Sequence, residues 1–231
     1  MIEVLRREEK YPLDIANAHI YSSLFSTVLA TDKFSKKGSY MVRSLYFDTP
    51  DDKDFFEKMT EQNLRRKIRL RIYSPNDTTA KLELKQKENI FQKKRSLTVS
   101  KEDALELIKG NYSVLLKYDD AFAAELFAIM SMEVYKPKSI VEYQRRAFMA
   151  KENNIRLTFD SNIRATESSY DLFAEDLPLA PVFPMDKVVF EVKYDKFLLS
   201  YITDIISKVD ARNMTSSKYC LSRTLGYPMY L

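Results

Sequence analysis

The chain has 231 residues, 45% hydrophobic and 30% charged, which is apolar enough for a core and excludes a disordered segment. Its 37 basic and 33 acidic residues leave a formal charge of only +4, which excludes a general nucleic-acid coat and makes the placement of the cations the informative quantity. A single cysteine, Cys220, and a single histidine, His19, exclude a disulfide framework and a Cys/His zinc site.

From the N-terminus, EVLRREEKYPL alternates between charged and apolar residues and predicts a strand. Leu13–Leu29 follows with apolar residues at helical spacing and Asp14 in its first turn. YMVRSLYFDT predicts a strand, and Thr49–Glu61, opening on Pro50 and acidic residues, a helix. KIRLRIYS, AKLELKQKE and QKKRSLTVS read as successive strands. Ser100–Lys109 opens on a Ser100/Asp103 pair resembling a capping box and stops at Gly110. Asp119–Met132, rich in Ala, Phe and Met, reads as a packing helix, with a partner or membrane-side surface as the alternative. SIVEYQRRAFMA, IRLTFDSNI and KVVFEVKYD predict further strands, with the Pro-rich PLAPVFP before the last of them as a loop. The amphipathic Lys196–Val209 and a short helix in SSKYCLSRTLG complete the chain.

Many strands with a few helices give an α+β, mostly antiparallel fold, and eight two-faced strands favour closure into a barrel. With three glycines, no linker and no repeat, 1–231 is expected to be a single domain. The charged N-terminus lacks a signal-like apolar core, and no apolar run nears the roughly 20 residues that span a bilayer. A soluble cytoplasmic protein without a membrane span is therefore expected.

Side chains two apart on a strand share a face, about 6.5–7 Å from each other. Arg6, Glu8 and Lys10 therefore lie together, as do Arg69 and Arg71; Lys81, Glu83, Lys85 and Lys87; Lys93 and Arg95; Arg156, Thr158 and Asp160; and Glu191 and Lys193. Leu70, Ile72, Leu82, Leu84, Leu157, Phe159, Phe190 and Val192 occupy the opposite faces as candidate core. One charged strand face is ordinarily wet. Repetition in nearly every strand, with intervening helices that need an apolar partner, instead predicts helices outside and charges turned inward. Unit charges about 6 Å apart repel by roughly 2.8 kcal/mol at an effective dielectric of about 20. Such a lining needs hydration or an anion. Arg and Lys with a few carboxylates suit a polyvalent phosphate carrying Mg²⁺ or Mn²⁺.

In this order, RREEKY, VRSLYFDT, KIRLRIY, KLELKQK, YQRRAF, RLTFD, FEVKYD and SSKY resemble the polyphosphate polymerase domain of the vacuolar transporter chaperone (VTC) proteins, over essentially the whole chain. That domain belongs to the CYTH-like triphosphate tunnel metalloenzymes. The resemblance implies an eight-stranded antiparallel barrel around a charged tunnel, with helices packed outside and at the ends. The superfamily signature Glu-x-Glu-x-Lys reads Arg6-Arg7-Glu8-Glu9-Lys10 here. Arg6 in place of the first Glu is similar to the polymerase branch and removes one expected metal ligand.

The resemblance implies that Arg69, Arg71, Lys85, Arg145 and Arg156 form the catalytic set. It selects Arg145 over Arg146 because Arg145 lies two before Ala147. Arg6, Lys10, Lys93, Arg95, Lys193, Ser217 and Lys218 are the expected phosphate-binding residues, and Glu191 and Glu8 the expected ligands of Mn²⁺ or Mg²⁺. The implied activity is transfer of the γ-phosphoryl of ATP to a phosphate or polyphosphate acceptor. The alternatives are a metal-dependent tunnel triphosphatase and a non-catalytic polyphosphate sensor. ATP and inorganic polyphosphate or triphosphate are the expected partners, nucleic acid is not, and a membrane-complex partner is left open. His19 reads as an ordinary helix residue, Cys220 as core, and Tyr46, Tyr143 and Tyr219 as packing residues rather than adenine-stacking ones.

Overall fold

The computed structural model describes residues 6–36, 38–89, 91–215 and 217–224, without the side chains of Arg6, Phe91 and Gln92. In chain order the strands are β1 (Arg6–Asp14), β2 (Ala30–Thr31), β3 (Tyr40–Asp48), β4 (Leu64–Ile72), β5 (Thr79–Glu88), β6 (Phe91–Ser100), β7 (Lys136–Met149), β8 (Arg156–Thr166), β9 (Ala180–Pro181) and β10 (Lys187–Asp195). The α-helices are α1 (Ile15–Val28), α2 (Lys53–Met59), α3 (Lys101–Ile108), α4 (Ala121–Met132), α5 (Ser200–Ile206) and α6 (Lys218–Arg223). The fold is α+β with an antiparallel sheet of ten strands, organised in two compact units. One comprises 1–41, 143–163 and 183–217, the other 42–142, 164–182 and 218–231.

In the first unit the strand order is β1-β10-β8-β7, with β2 on β7. Leu13, Val188, Phe190, Val192, Leu157 and Phe159 form one buried apolar face and pack with Ala18 and Phe25 of α1 and Ile202 of α5. Phe159 and Phe190 stack at 4.7 Å between ring centroids, and Phe25 stacks on Phe190 at 5.7 Å. In the second unit the order is β7-β3-β4-β5-β6, with β9 on β8. Here Leu45, Phe47, Ile68, Leu70, Leu82, Leu84, Leu97 and Val99 pack with Leu107 of α3 and Leu126 and Met130 of α4. In both units the helices cover the apolar side, so the charged side chains emerge on the other.

Every strand read from alternation is present. β2 and β9, two residues each, were not expected, and β9 lies inside the segment read as a Pro-rich loop. No ladder joining β1 to β6 is among the described pairings. The helices α2 and α5 begin four residues later than the sequence suggests. The Asp48 carboxylate accepts the N–H groups of Thr49, Asp54 and Phe55, and Asp52 adopts φ 57°, so the chain turns before α2 begins at Lys53 instead of entering a helix at Pro50. Lys196, at φ 60°, similarly postpones α5 to Ser200. No helix among the described residues is long and apolar enough to cross a membrane.

The Ser100 hydroxyl accepts the Asp103 N–H as the N-cap of α3, at 3.1 Å. The reciprocal half of a capping box is absent, because the Asp103 carboxylate accepts from Lys117 and the Tyr118 hydroxyl instead. Ser100→Ala is therefore expected to lower stability by about 1 kcal/mol in urea unfolding.

Beneath α2, Asp54 is fully buried and accepts the Tyr135 hydroxyl, which itself accepts from Arg66. Burial and the Asp48 carboxylate push Asp54 up to about 8. A carboxyl whose folded pKa is raised stabilises the fold fully below its unfolded pKa, near 4, and loses that contribution as pH rises through about 8. Stability is expected to fall across that window, and Asp54→Asn to remove this part of the slope in pH-dependent denaturation.

Candidate functional site

In the second unit, strand pairing sets Tyr46, Arg69, Glu83 and Ser96 in one cross-strand row and Ser44, Arg71, Lys81 and Thr98 in the next. Lys67, Lys85 and Lys94 form a third. Directly opposed residues of antiparallel strands share a face, so at least six cations stand on one side of β4, β5 and β6. The arginines and their carboxylate are largely covered, with Arg69 20% exposed, Arg71 8% and Glu83 3%, while Lys81 and Lys94 reach solvent.

One carboxylate serves three of these cations. Arg69 Nε lies 2.7 Å and Arg71 Nη1 3.8 Å from Glu83 Oε2, and Lys94 pairs with Oε1. Burial opposes ionisation of Glu83, but Arg69, Arg71 and Lys94 outweigh it and hold the carboxyl far below the usual range. Three positive charges around one negative charge leave a local excess of two, the electrostatic precondition for binding an anion.

Tyr46 contributes a hydroxyl that accepts from Arg69 Nη1 at 3.1 Å. Its ring stacks on Tyr219 at 5.1 Å, and the Tyr219 hydroxyl donates to Asp48 Oδ2 at 2.6 Å. These tyrosines pack on each other, with Tyr46 and Tyr219 buried. Burial alone would raise the Tyr46 hydroxyl, yet Arg69, Lys67 and Arg71 pull it down to about 8. A phenol with a depressed folded pKa adds stability fully above its unfolded value, near 10, and loses it as pH falls through about 8. Ultraviolet titration is expected to show a phenolate with a midpoint near 8, absent in Tyr46→Phe and shifted upward in Arg69→Ala.

In the first unit, Glu8, Lys193 and Arg156 stand opposite one another, as do Lys10, Glu191 and Thr158. Lys10 Nζ lies 3.0 Å from Glu8 and 3.9 Å from Glu191; Lys193 Nζ lies 3.7 Å from Glu8 and 3.0 Å from Glu191. Burial lowers the Lys10 ammonium less than Glu191 and Glu8 raise it, so it stays charged beyond the ordinary lysine range. Arg145 donates through Nε and Nη2 to the two oxygens of the fully buried Asp160, both at 2.7 Å, and its Nη2 comes within 3.8 Å of Glu191. Its guanidinium also lies 5.2 Å from the centroid of Tyr143. Although burial works against it, Asp160, Tyr143 and Glu191 keep Arg145 firmly protonated. Arg156 donates to Asp32 at 2.9 Å and to the Tyr40 hydroxyl at 3.2 Å.

The structure thus brings Arg69, Arg71 and Lys85 onto one face of the second unit, and Glu8, Lys10, Arg145, Arg156, Glu191 and Lys193 onto one face of the first. Lys93 and Arg95 do not join Lys85. Lys93 stands opposite Gln86 and Arg95 opposite Leu84, on the helix-packed side, where Arg95 makes a two-pronged ion pair with Glu125 of α4. Lys94 takes the place expected for them, beside Lys85. Arg146 points away from the Arg145 cluster, its guanidinium 5.3 Å from the Phe148 ring. Ser217 is buried before α6, and Lys218 is the first residue of that helix. Arg6 lies in β1, but its side chain is outside the described residues. Cys220 is buried in α6, as expected for core. Sequence reasoning missed Lys94, Ser44 and Asp32; only the strand register and the chain's return at Asp32 place them.

Among the described residues, no three His, Cys, Asp or Glu side chains gather as a metal cluster. The donor set does fit a single hard cation. Glu8 and Glu191 share two ammonium neighbours, and Thr158 Oγ1 lies 3.5 Å from Glu191. Mg²⁺-like ions are commonly held by one or two carboxylates, with substrate phosphates and water completing the shell.

These features define an α+β protein whose antiparallel sheet carries a cluster of cations on the face opposite its apolar cores, with Tyr219 of α6 packed against that cluster. The family model of the VTC domain matches residues 5–227, and the chain belongs to that family. No curated protein matches it. Similar solved structures include a Bacillus halodurans protein provisionally named an adenylate cyclase, at 12% identity, 89% of this chain, 87% of that chain and a TM-score of 0.49. A Pyrococcus horikoshii protein shares 12% identity over 94% of this chain and 98% of its own, with a TM-score of 0.49. A Vibrio parahaemolyticus protein, also provisionally named an adenylate cyclase, shares 13% over 96% and 99%, with a TM-score of 0.48.

Proposed function

We propose that this VTC-family protein is an ATP-dependent polyphosphate polymerase. The observation that carries the reading is the set of three cations, Arg69, Arg71 and Lys94, held on the single carboxylate of Glu83. A polyphosphate supplies the missing negative charge and matches guanidinium forks with paired oxygens. The cations of the first unit, Lys10, Arg145, Arg156 and Lys193, serve the same class of substrate, with Lys85, Ser217 and Lys218 as further contacts. The eight main strands, closed as a barrel, are the architecture this reading assumes.

Phosphoryl transfer asks a protein for positioning and charge neutralisation more than for covalent chemistry. The bond between the β,γ-bridging oxygen and the γ-phosphorus breaks, and ADP leaves with the electron pair. A terminal oxygen of phosphate or polyphosphate forms the new bond to that phosphorus. Arg69 and Arg71 on the second unit, and Arg145 and Arg156 on the first, each neutralise phosphate oxygens of the substrate, and Lys10 and Lys193 restrain further ones. A divalent ion held by Glu191 and Glu8 would add charge neutralisation at the phosphate oxygens. Glu8, Glu191 and Asp160 are engaged by Lys10, Lys193 and Arg145. That engagement favours transfer to a phosphate oxygen over a hydrolase that uses spare carboxylates to activate water.

Purified protein with ATP and Mn²⁺ separates the readings. Long-chain polyphosphate with ADP supports the polymerase; phosphate release from tripolyphosphate supports a triphosphatase; tight tripolyphosphate binding without turnover supports a sensor.

A further inference from the structure

An open groove of about 1090 Å³ lies in the first unit, lined by the end of α1, the turn after β2, the end of β7 and the first turn of α5. Val28, Phe34, Met149 and Tyr201 leave large apolar surface exposed there, Phe34 at 53% and Tyr201 at 40%. Isolated exposed apolar residues need no explanation, but a concave group of them marks a binding site. Phe34 also carries a cation, with Lys33 Nζ 4.9 Å from its ring centroid.

Arg156 joins this groove to the charged face. It lines the groove, where it bonds Asp32, and it stands opposite Lys193, which in turn stands opposite Glu8. A ligand seated here has an aromatic or apolar part beside Phe34 and Tyr201 and a polyanionic part within reach of Arg156. An apolar peptide or lipid chain makes no use of that junction, and inorganic polyphosphate makes no use of the rings. We propose that the groove receives the nucleoside of a nucleoside triphosphate whose phosphates lie along the charged face. The chain then distinguishes a nucleotide donor from its inorganic product. This inference rests on the charged face being an anion site.

The test is isothermal titration of the full chain with ATP and, separately, with tripolyphosphate, for wild type, Phe34→Ala/Tyr201→Ala and the bulkier Phe34→Leu/Tyr201→Leu. Base–aromatic stacking of this kind corresponds to a loss of about tenfold or more in ATP affinity. Tripolyphosphate affinity is expected to stay within about twofold, which also shows that the variants are folded. ATP affinity unchanged in both variants, or equal losses for both ligands, overturns the proposal. A wild-type protein that binds ATP but not tripolyphosphate, with the variants weakening ATP, supports the groove and overturns the proposed function. Binding of neither ligand overturns both.

Discussion

Glu83→Gln is expected to be less stable than wild type by about 3 kcal/mol in ligand-free buffer, and to recover most of that loss in tripolyphosphate. The substitution keeps the size of the side chain and removes the one negative charge shared by Arg69, Arg71 and Lys94. Removing one partner of a buried ion pair leaves the remaining charge uncompensated. The cost stays at the low end because the Lys94 side chain is 51% exposed and retains solvent. A polyanion then does for the variant what Glu83 does for wild type, and ligand that binds only the folded state raises its stability by mass action. Thermal unfolding with and without tripolyphosphate reads both effects. A variant as stable as wild type, or one the anion fails to rescue, contradicts this electrostatic account.

Arg145→Ala has a different expected signature. Asp160 is fully buried and accepts two hydrogen bonds from Arg145. Its carboxylate is left without them in the variant, at a cost of about 3–5 kcal/mol. Turnover is expected to fall by about 10²–10³-fold, the scale for losing one preorganised charge-stabilising group. Adding Asp160→Ala removes the acid that Arg145 had neutralised, so the double variant is expected to regain stability without regaining turnover. Recovery of both would make Arg145 a structural residue only.

The sequence carried the main strands plainly, because charged and apolar residues alternate along nearly all of them and a helix-covered face must be the apolar one. It carried the pairing of Arg69 with Arg71 for the same reason. In QKKRSLTVS, however, Lys93, Lys94 and Arg95 are consecutive cations, and a period of two cannot choose among them. Only the register that sets Lys94 opposite Lys85 identifies which one shares the charged face. The engagement of Arg95 by Glu125 was illegible for the same reason, since it joins residues 30 apart in sequence. The late starts of α2 and α5 depend on left-handed Asp52 and Lys196, residue types whose backbone angles follow from local contacts and not from identity. Arg156 was legible as a cation on a strand face. Its link to Asp32 was not, because nothing local to either residue announces it.

A crystal structure of the protein grown or soaked with tripolyphosphate tests the central claim most directly. The account predicts phosphate oxygens bridged by the Arg69 and Arg71 guanidinium groups, with Glu83 retained on the opposite side of at least one of them. Tripolyphosphate bound elsewhere, with both arginines engaged by Glu83 alone, would contradict it.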